Sequence, residues 1–175
     1  MTSGTEEMGP DTQYVENRSK LPQIKRYVTT KDADGLSRFS TEIPPEVPWT
    51  NFKDVAQFGV AYTSTGLPVD LKDGKDVQNY QNVLKTGLTL AQENGTVLRI
   101  VDMSPGHRAP MHITKSIDYG VVLEGQVEAI MDSGETRICN RGDIVVQRNT
   151  NHSWRNCSPT ETARMLYVLI DSTEL

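Results

Sequence analysis

Cysteine is scarce. Cys139 and Cys157 are the whole complement in 175 residues. Two thiols make no disulfide framework and match no metal-binding spacing, which predicts reduced, half-buried side chains in a cytoplasmic protein. Histidine is scarcer than its usual roles would suggest, with His107, His112 and His152 alone. No apolar run approaches the roughly 20 residues of a membrane helix. The opening residues, MTSGTEEMGPDTQ, hold neither a basic stretch nor an apolar one, so no secretory leader is expected. There is no basic block either. Lys plus Arg is 18 against 23 Asp plus Glu, a net charge of −5. That balance argues against nucleic acid and against an anionic membrane surface as partners. Apolar residues are 36% of the chain, a low share that reflects a polar amino end.

The length suits one domain with an arm. Residues 1–20 are polar and without periodicity, which predicts a mobile N-terminal arm. Residues 21–95 alternate short apolar pieces with turn signals, and are expected to supply flanking strands and loops packed on a barrel or a dimer partner. Within them, 36–43 and 58–63 read as strands, 66–82 as a long polar loop, and 76–86 as a weak helix candidate. From Asn94 onward the punctuation sharpens. Strands are expected at 97–103, 111–114, 119–123, 126–131, 136–139, 144–147 and 163–170, separated by turns at Gly125, Gly134 and Gly142. Short strands with a turn every few residues define an all-β sandwich or barrel.

Two of the three histidines stand in ordered surroundings. One stretch reads Gly106-x5-His112-x-Thr114-x3-Asp118-x6-Gly125, the other Gly142-x9-His152-x3-Asn156. Residues two apart on a strand share a face, so His112 and Thr114 would both point inward. Asp118 would follow on the next strand and His152 from a later hairpin, four side chains converging at a barrel mouth.

This spacing resembles the two-part signature of the cupin superfamily, G-x5-H-x-H-x3,4-E-x6-G and G-x5-P-x-G-x2-H-x3-N. The stretch from Pro110 to Gly125 is more closely similar to small single-domain cupins of filamentous fungi, whose pattern is P-M-H-x-T-x-S-x-D-Y-G-x-V-L-E-G. Their second motif is similar to Gly142–Gln147 followed by Arg148, Thr150, His152, Trp154 and Asn156, with Asn149 standing at a Gly position. Asn tolerates positive φ well enough to keep a turn there.

The resemblance implies a double-stranded β-helix, or jelly-roll barrel, with its core motifs over 96–171. It implies a homodimer as well, with the face of Val97, Arg99, Val101 and Met103 as one place to pair. It also implies an enzyme of secondary metabolism. The expected chemistry is a lyase-type step (decarboxylation, dehydration or isomerisation) on a small oxygenated substrate. His112, His152 and Asp118 are the expected catalytic residues, with Thr114, Trp154 and Arg148 as substrate contacts. A full cupin site offers three His and a carboxylate to a metal. Here Thr114, a poor ligand, replaces one His, which leaves His112, Asp118 and His152 as a facial triad for one divalent ion such as Fe, Mn, Zn or Ni. Catalysis by the side chains alone, without a metal, stays open beside it. An iron-dependent dioxygenase and a non-catalytic small-ligand binder are the alternative readings.

Overall fold

The computed structural model describes residues 14–16, 19–87 and 90–174. Most of the arm expected over 1–20 lies outside them. Inside them, Tyr14–Val15 form strand β1, and Ser19 Oγ donates to Asp102 at 2.6 Å.

The strands that follow are β2 (Thr29–Lys31), β3 (Ser37–Phe39), β4 (Trp49–Phe52), β5 (Ala56–Thr65) and β6 (Gly95–Met103). Next come β7 (Ser116–Glu124), β8 (Gln126–Met131), β9 (Thr136–Asn140), β10 (Ile144–Arg148), β11 (His152–Asn156) and β12 (Ala163–Asp171). Helix α1 (Lys75–Thr86) is inserted between β5 and β6. Among the described residues, one sheet runs β1-β4-β5-β6-β12-β7-β10 and a second runs β11-β8-β9. All pairings are antiparallel. The all-β fold expected from the turn spacing is thus present, in the jelly-roll form that the resemblance implied. No described helix is long and apolar enough to cross a membrane.

The turns sit where the punctuation placed them. Gly125, Gly134 and Gly142 have φ of 80°, 88° and 90°, a region open mainly to glycine, and Asn149 takes φ 48°. Two expectations need correction. The segment 111–114 is no extended strand. His112 makes a single bridge to His152, because Pro110 offers no N–H and the chain turns back at Thr114. The loop expected over 66–82 ends early, since α1 begins at Lys75. That helix buries Val77 and Tyr80 on one face and stops at Gly87, whose N–H reaches Val83 O. The run 152–156, where a later hairpin was expected to bring in His152, is a full strand paired with β8.

The register stacks the inner wall in rows. One row holds Phe58, Val101, Met165 and Val122 from β5, β6, β12 and β7. The next holds Val60, Arg99, Tyr167, Gly120 and Val145. The third holds Thr63, Val97, Leu169, Asp118 and Gln147. Two apolar clusters flank the middle. One gathers Val101, Met165, Val122, Val127, Ala129 and Trp154 between the sheets. The other packs Val77 and Tyr80 of α1 on Val60, Val97 and Leu169. Tyr167 touches both clusters, and polar side chains lie beside it. The row also settles the fate of one proposed dimer face: Val97 is 0% and Arg99 2% exposed, so this face lines the barrel interior.

Gly120 has a packing reason. A Cβ there would meet Tyr167 Cε1 at 3.0 Å, so the missing side chain lets the tyrosine ring lie against β7.

Candidate active site

Strand β7 alternates cleanly. Ser116, Asp118, Gly120 and Val122 are buried, while Tyr119 on the opposite face is 43% exposed. Asp118 therefore enters the barrel as the period of two requires. Strand β11 presents His152, Trp154 and Asn156 inward by the same rule.

The segment before β7 is fastened along β11. Ala109 N–H donates to Trp154 O at 2.8 Å, and Ser153 Oγ donates to Ala109 O at 2.7 Å. His112 and His152 then exchange both backbone N–H···O bonds at 2.9 Å. That exchange sets their side chains side by side, with ring centroids 4.3 Å apart and planes at 48°.

Each ring is also held by its own backbone. His112 Nδ1 lies 2.8 Å from Pro110 O, and His152 Nδ1 lies 2.9 Å from Thr150 O. A carbonyl oxygen only accepts, so each Nδ1 carries the hydrogen and donates. With Nδ1 donating, the in-plane lone pair of a neutral ring falls on Nε2.

Burial sets the protonation. His152 is 2% exposed, and burial pulls its pKa down to about 4, helped by the neighbouring His112 and opposed by the Thr150 carbonyl. It is a neutral base at physiological pH. Asp118, 4% exposed, moves the other way, to about 6. Burial raises it, while the Ser116 hydroxyl that donates to its Oδ1, the Arg99 guanidinium and His112 hold it back. Arg99 stood in the sequence on the face offered for dimer pairing. It is inside, 2% exposed, with its guanidinium 5.7 Å from the Phe58 ring centre.

These opposite shifts predict a visible linkage. A neutral buried His with lowered pKa costs stability as pH falls from 6.5 toward 4, because the unfolded chain binds the proton first. A buried Asp with raised pKa gains stability as pH falls from 6 toward 3.8, because the folded chain binds it first. Each is worth about 3 kcal/mol at about 1.4 kcal/mol per unit, so in the wild type they largely cancel. Asp118→Asn should therefore become more acid-sensitive than the wild type between pH 6.5 and 4, and His152→Asn less so. Urea midpoints at pH 7 and pH 4.5 measure this, and identical pH responses in all three proteins would refute it.

A ladder of rings runs inward from the histidines. His152 meets Trp154 edge-on at 5.9 Å, and Trp154 meets Tyr167 edge-on at 5.7 Å. Trp154 belongs to the core cluster at 5% exposure, and Thr114 is buried at 8% next to Ser116. Arg148 does not join them. Gln147 takes the inward place on β10, and Arg148 follows on the exposed side. His107 is half-buried in its loop. Tyr167 carried no sequence signal of its own, because which β12 residue stands opposite β6 and β7 is a matter of register.

The residues fit a protein-held metal only in part. Two Nε2 lone pairs suit a divalent ion. Among the described residues, however, no three His, Cys, Asp or Glu side chains group closely enough to hold one. Asp118 is engaged by Ser116 and coupled to Arg99 instead. The three-donor facial set is not assembled.

The fold is an antiparallel jelly roll that carries two paired imidazoles on its inner wall. The chain belongs to the cupin family: the cupin domain model matches residues 99–169. It is 46% identical to phomopsin biosynthesis cluster protein C' of Diaporthe leptostromiformis, over 87% of this chain and 81% of that one. It is 37% identical to the cupin-domain-containing oxidoreductase fogC of Aspergillus ruber, over 89% and 76%. Among solved structures, the cupin domain of Cnp3 from Schizosaccharomyces pombe superposes with a TM-score of 0.52 at 13% identity, over 86% of this chain and 90% of that one. That last likeness concerns the fold alone.

Proposed function

We propose that this protein is an enzyme of fungal secondary metabolism that moves a proton on a small oxygenated substrate inside the barrel, in a lyase-type or isomerising step. The paired imidazoles carry the reading. Both have Nδ1 fixed on a backbone carbonyl and the lone pair on Nε2, with ring centres 4.3 Å apart. His152 is neutral at physiological pH and takes a proton from a carbon next to a carbonyl. The imidazolium so formed returns that proton to a departing hydroxyl, which leaves as water, or to another carbon, which gives an isomer. His112 steadies the charge from the side. Trp154 and Tyr167, packed edge-on, supply apolar ring surface next to His152.

The names of relatives such as the fogC oxidoreductase favour a second reading, a redox step on the same class of substrate. One experiment separates the two. The gene is deleted in its host, the metabolite that accumulates is isolated, and it is given to the purified protein. Conversion with loss of water or carbon dioxide, or with unchanged mass, supports proton transfer. Gain of oxygen or loss of hydrogen supports the redox reading and removes the first.

A further inference from the structure

Strands β12, β7 and β10 are apolar on their outer face as well as on their inner one. Register sets the outer side chains in rows, Ile144 beside Val121 and Leu166, then Val146 beside Tyr119 and Val168. Arg148 closes the face at its rim. An antiparallel sheet that shows one face to water carries polar residues there, and these rows hold none but the Tyr119 hydroxyl. Ile144 is 66%, Val146 51% and Tyr119 43% exposed. A second apolar surface lies on the ribbon of β2 and β3. Its base is tied down, with Arg26 N–H on Pro45 O at 2.7 Å and with Val28 and Ile43 in the cluster around α1. Its tip is a separate two-stranded sheet whose strand residues are all exposed. There the Tyr27 and Phe39 rings stand 5.8 Å apart, and both residues, like Leu36, lie largely in the open. A two-stranded ribbon is marginal by itself in water.

We propose that two copies of this chain meet about a two-fold axis, each laying its ribbon tip across the outer β12-β7-β10 face of the other. A second copy is the occupant because one chain carries both surfaces. Residues 1–13 offer only Met1 and Met8 as large apolar side chains, too few to cover the face. Size points the same way. Three strands at about 4.8 Å spacing and five residues at about 3.3 Å give the face a footprint of about 14 by 17 Å. A stable dimer buries roughly 800 Å² per partner, more than that face supplies, and the tip is the apolar surface that makes up the difference. A tip-on-face contact made once would run on into a filament, whereas the same contact made reciprocally closes the pair.

The test weighs the full chain by sedimentation equilibrium from low to high micromolar concentration. A dimer of twice 19.5 kDa is expected. Val146→Lys on the face and Phe39→Asp on the tip, both at exposed positions, should each weaken it at least tenfold with the circular dichroism unchanged. Each change spoils both contacts of its own dimer. A mixture of the two variants spoils only one, since the intact tip of one meets the intact face of the other, so heterodimers should form more tightly than either variant's homodimer. Should Val146→Lys misfold, Ile144→Lys at the more exposed neighbour replaces it. A wild type that stays monomeric at high micromolar concentration overturns the proposal, and so does one that grows into larger open oligomers. A dimer that the face variant leaves intact overturns it too. Loss with the face variant alone, Phe39→Asp having no effect, would show the two faces meeting directly and refute the exchange of ribbons.

Discussion

His152→Asn is expected to lower turnover roughly 100- to 10,000-fold while the barrel stays folded, the range a positioned proton-transfer group usually supplies. The substitution is chosen for its geometry. The Asn amide nitrogen lies near the place of Nδ1, so it can still donate to Thr150 O as the ring does at 2.9 Å. What disappears is Nε2 and its basicity. The backbone exchange with His112 is independent of the side chain and remains. The effect should therefore appear in kcat, with KM little changed. His112→Asn, which can keep the bond to Pro110 O, should lose less, because its ring supports the neighbour. His152→Gln is a useful control, for it places an amide near Nε2 without a basic lone pair, and it should be no better than Asn. The reading fails if folded His152→Asn keeps more than a tenth of wild-type turnover on the substrate identified by gene deletion. A pure binding protein would show no turnover in either form and the same ligand affinity.

How far the sequence led can be judged strand by strand. Gly125, Gly134 and Gly142 marked turns because positive φ is intrinsic to the residue, and the structure places them at 80°, 88° and 90°. Asp118 inside and Tyr119 outside followed from the period of two on one strand. His152 and Trp154 on one face of β11 followed in the same way. These are local inferences. Arg99 was different, because Val-Leu-Arg-Ile-Val is apolar on both sides of the arginine and gives no hint of facing. Its place was fixed by pairing with Tyr167, 68 residues along the chain by number, and such pairing leaves no mark within either segment. Arg148 shows the reverse error: a motif match suggested a site role, but alternation on β10 turns it outward. The resemblance implied a three-donor set of His112, Asp118 and His152. The structure pairs the two rings and commits Asp118 to Ser116 and Arg99.

The largest stability effect is expected on the other side of the same wall, at Arg164. Arg164 stands opposite Asp102 across β12 and β6, both 2% exposed. The pair is bidentate, Nε to Oδ1 at 2.5 Å and Nη2 to Oδ2 at 2.6 Å. Arg164 Nη1 also donates to Pro22 O at 2.6 Å, and its guanidinium lies 5.3 Å from the centre of the Trp49 ring system. The pair thus ties the segment around residues 19–22 to the outer face of the sheet. Removing one member leaves the other charge buried, which typically costs 3–5 kcal/mol. Arg164→Met and Asp102→Leu should each lower the urea unfolding free energy by about 4 kcal/mol. The double variant Asp102→Leu/Arg164→Met should recover most of that loss, since apolar side chains of similar volume remove both desolvation costs together. It should not restore the hold on Pro22, so amide exchange over 19–24 should stay faster than in the wild type. A cost below about 1 kcal/mol for either single variant would mean that water reaches the pair, as at surface ion pairs. Equal costs for the single and double variants would show instead that the contacts to Ser19 and Pro22, not the charge pair, hold the segment down.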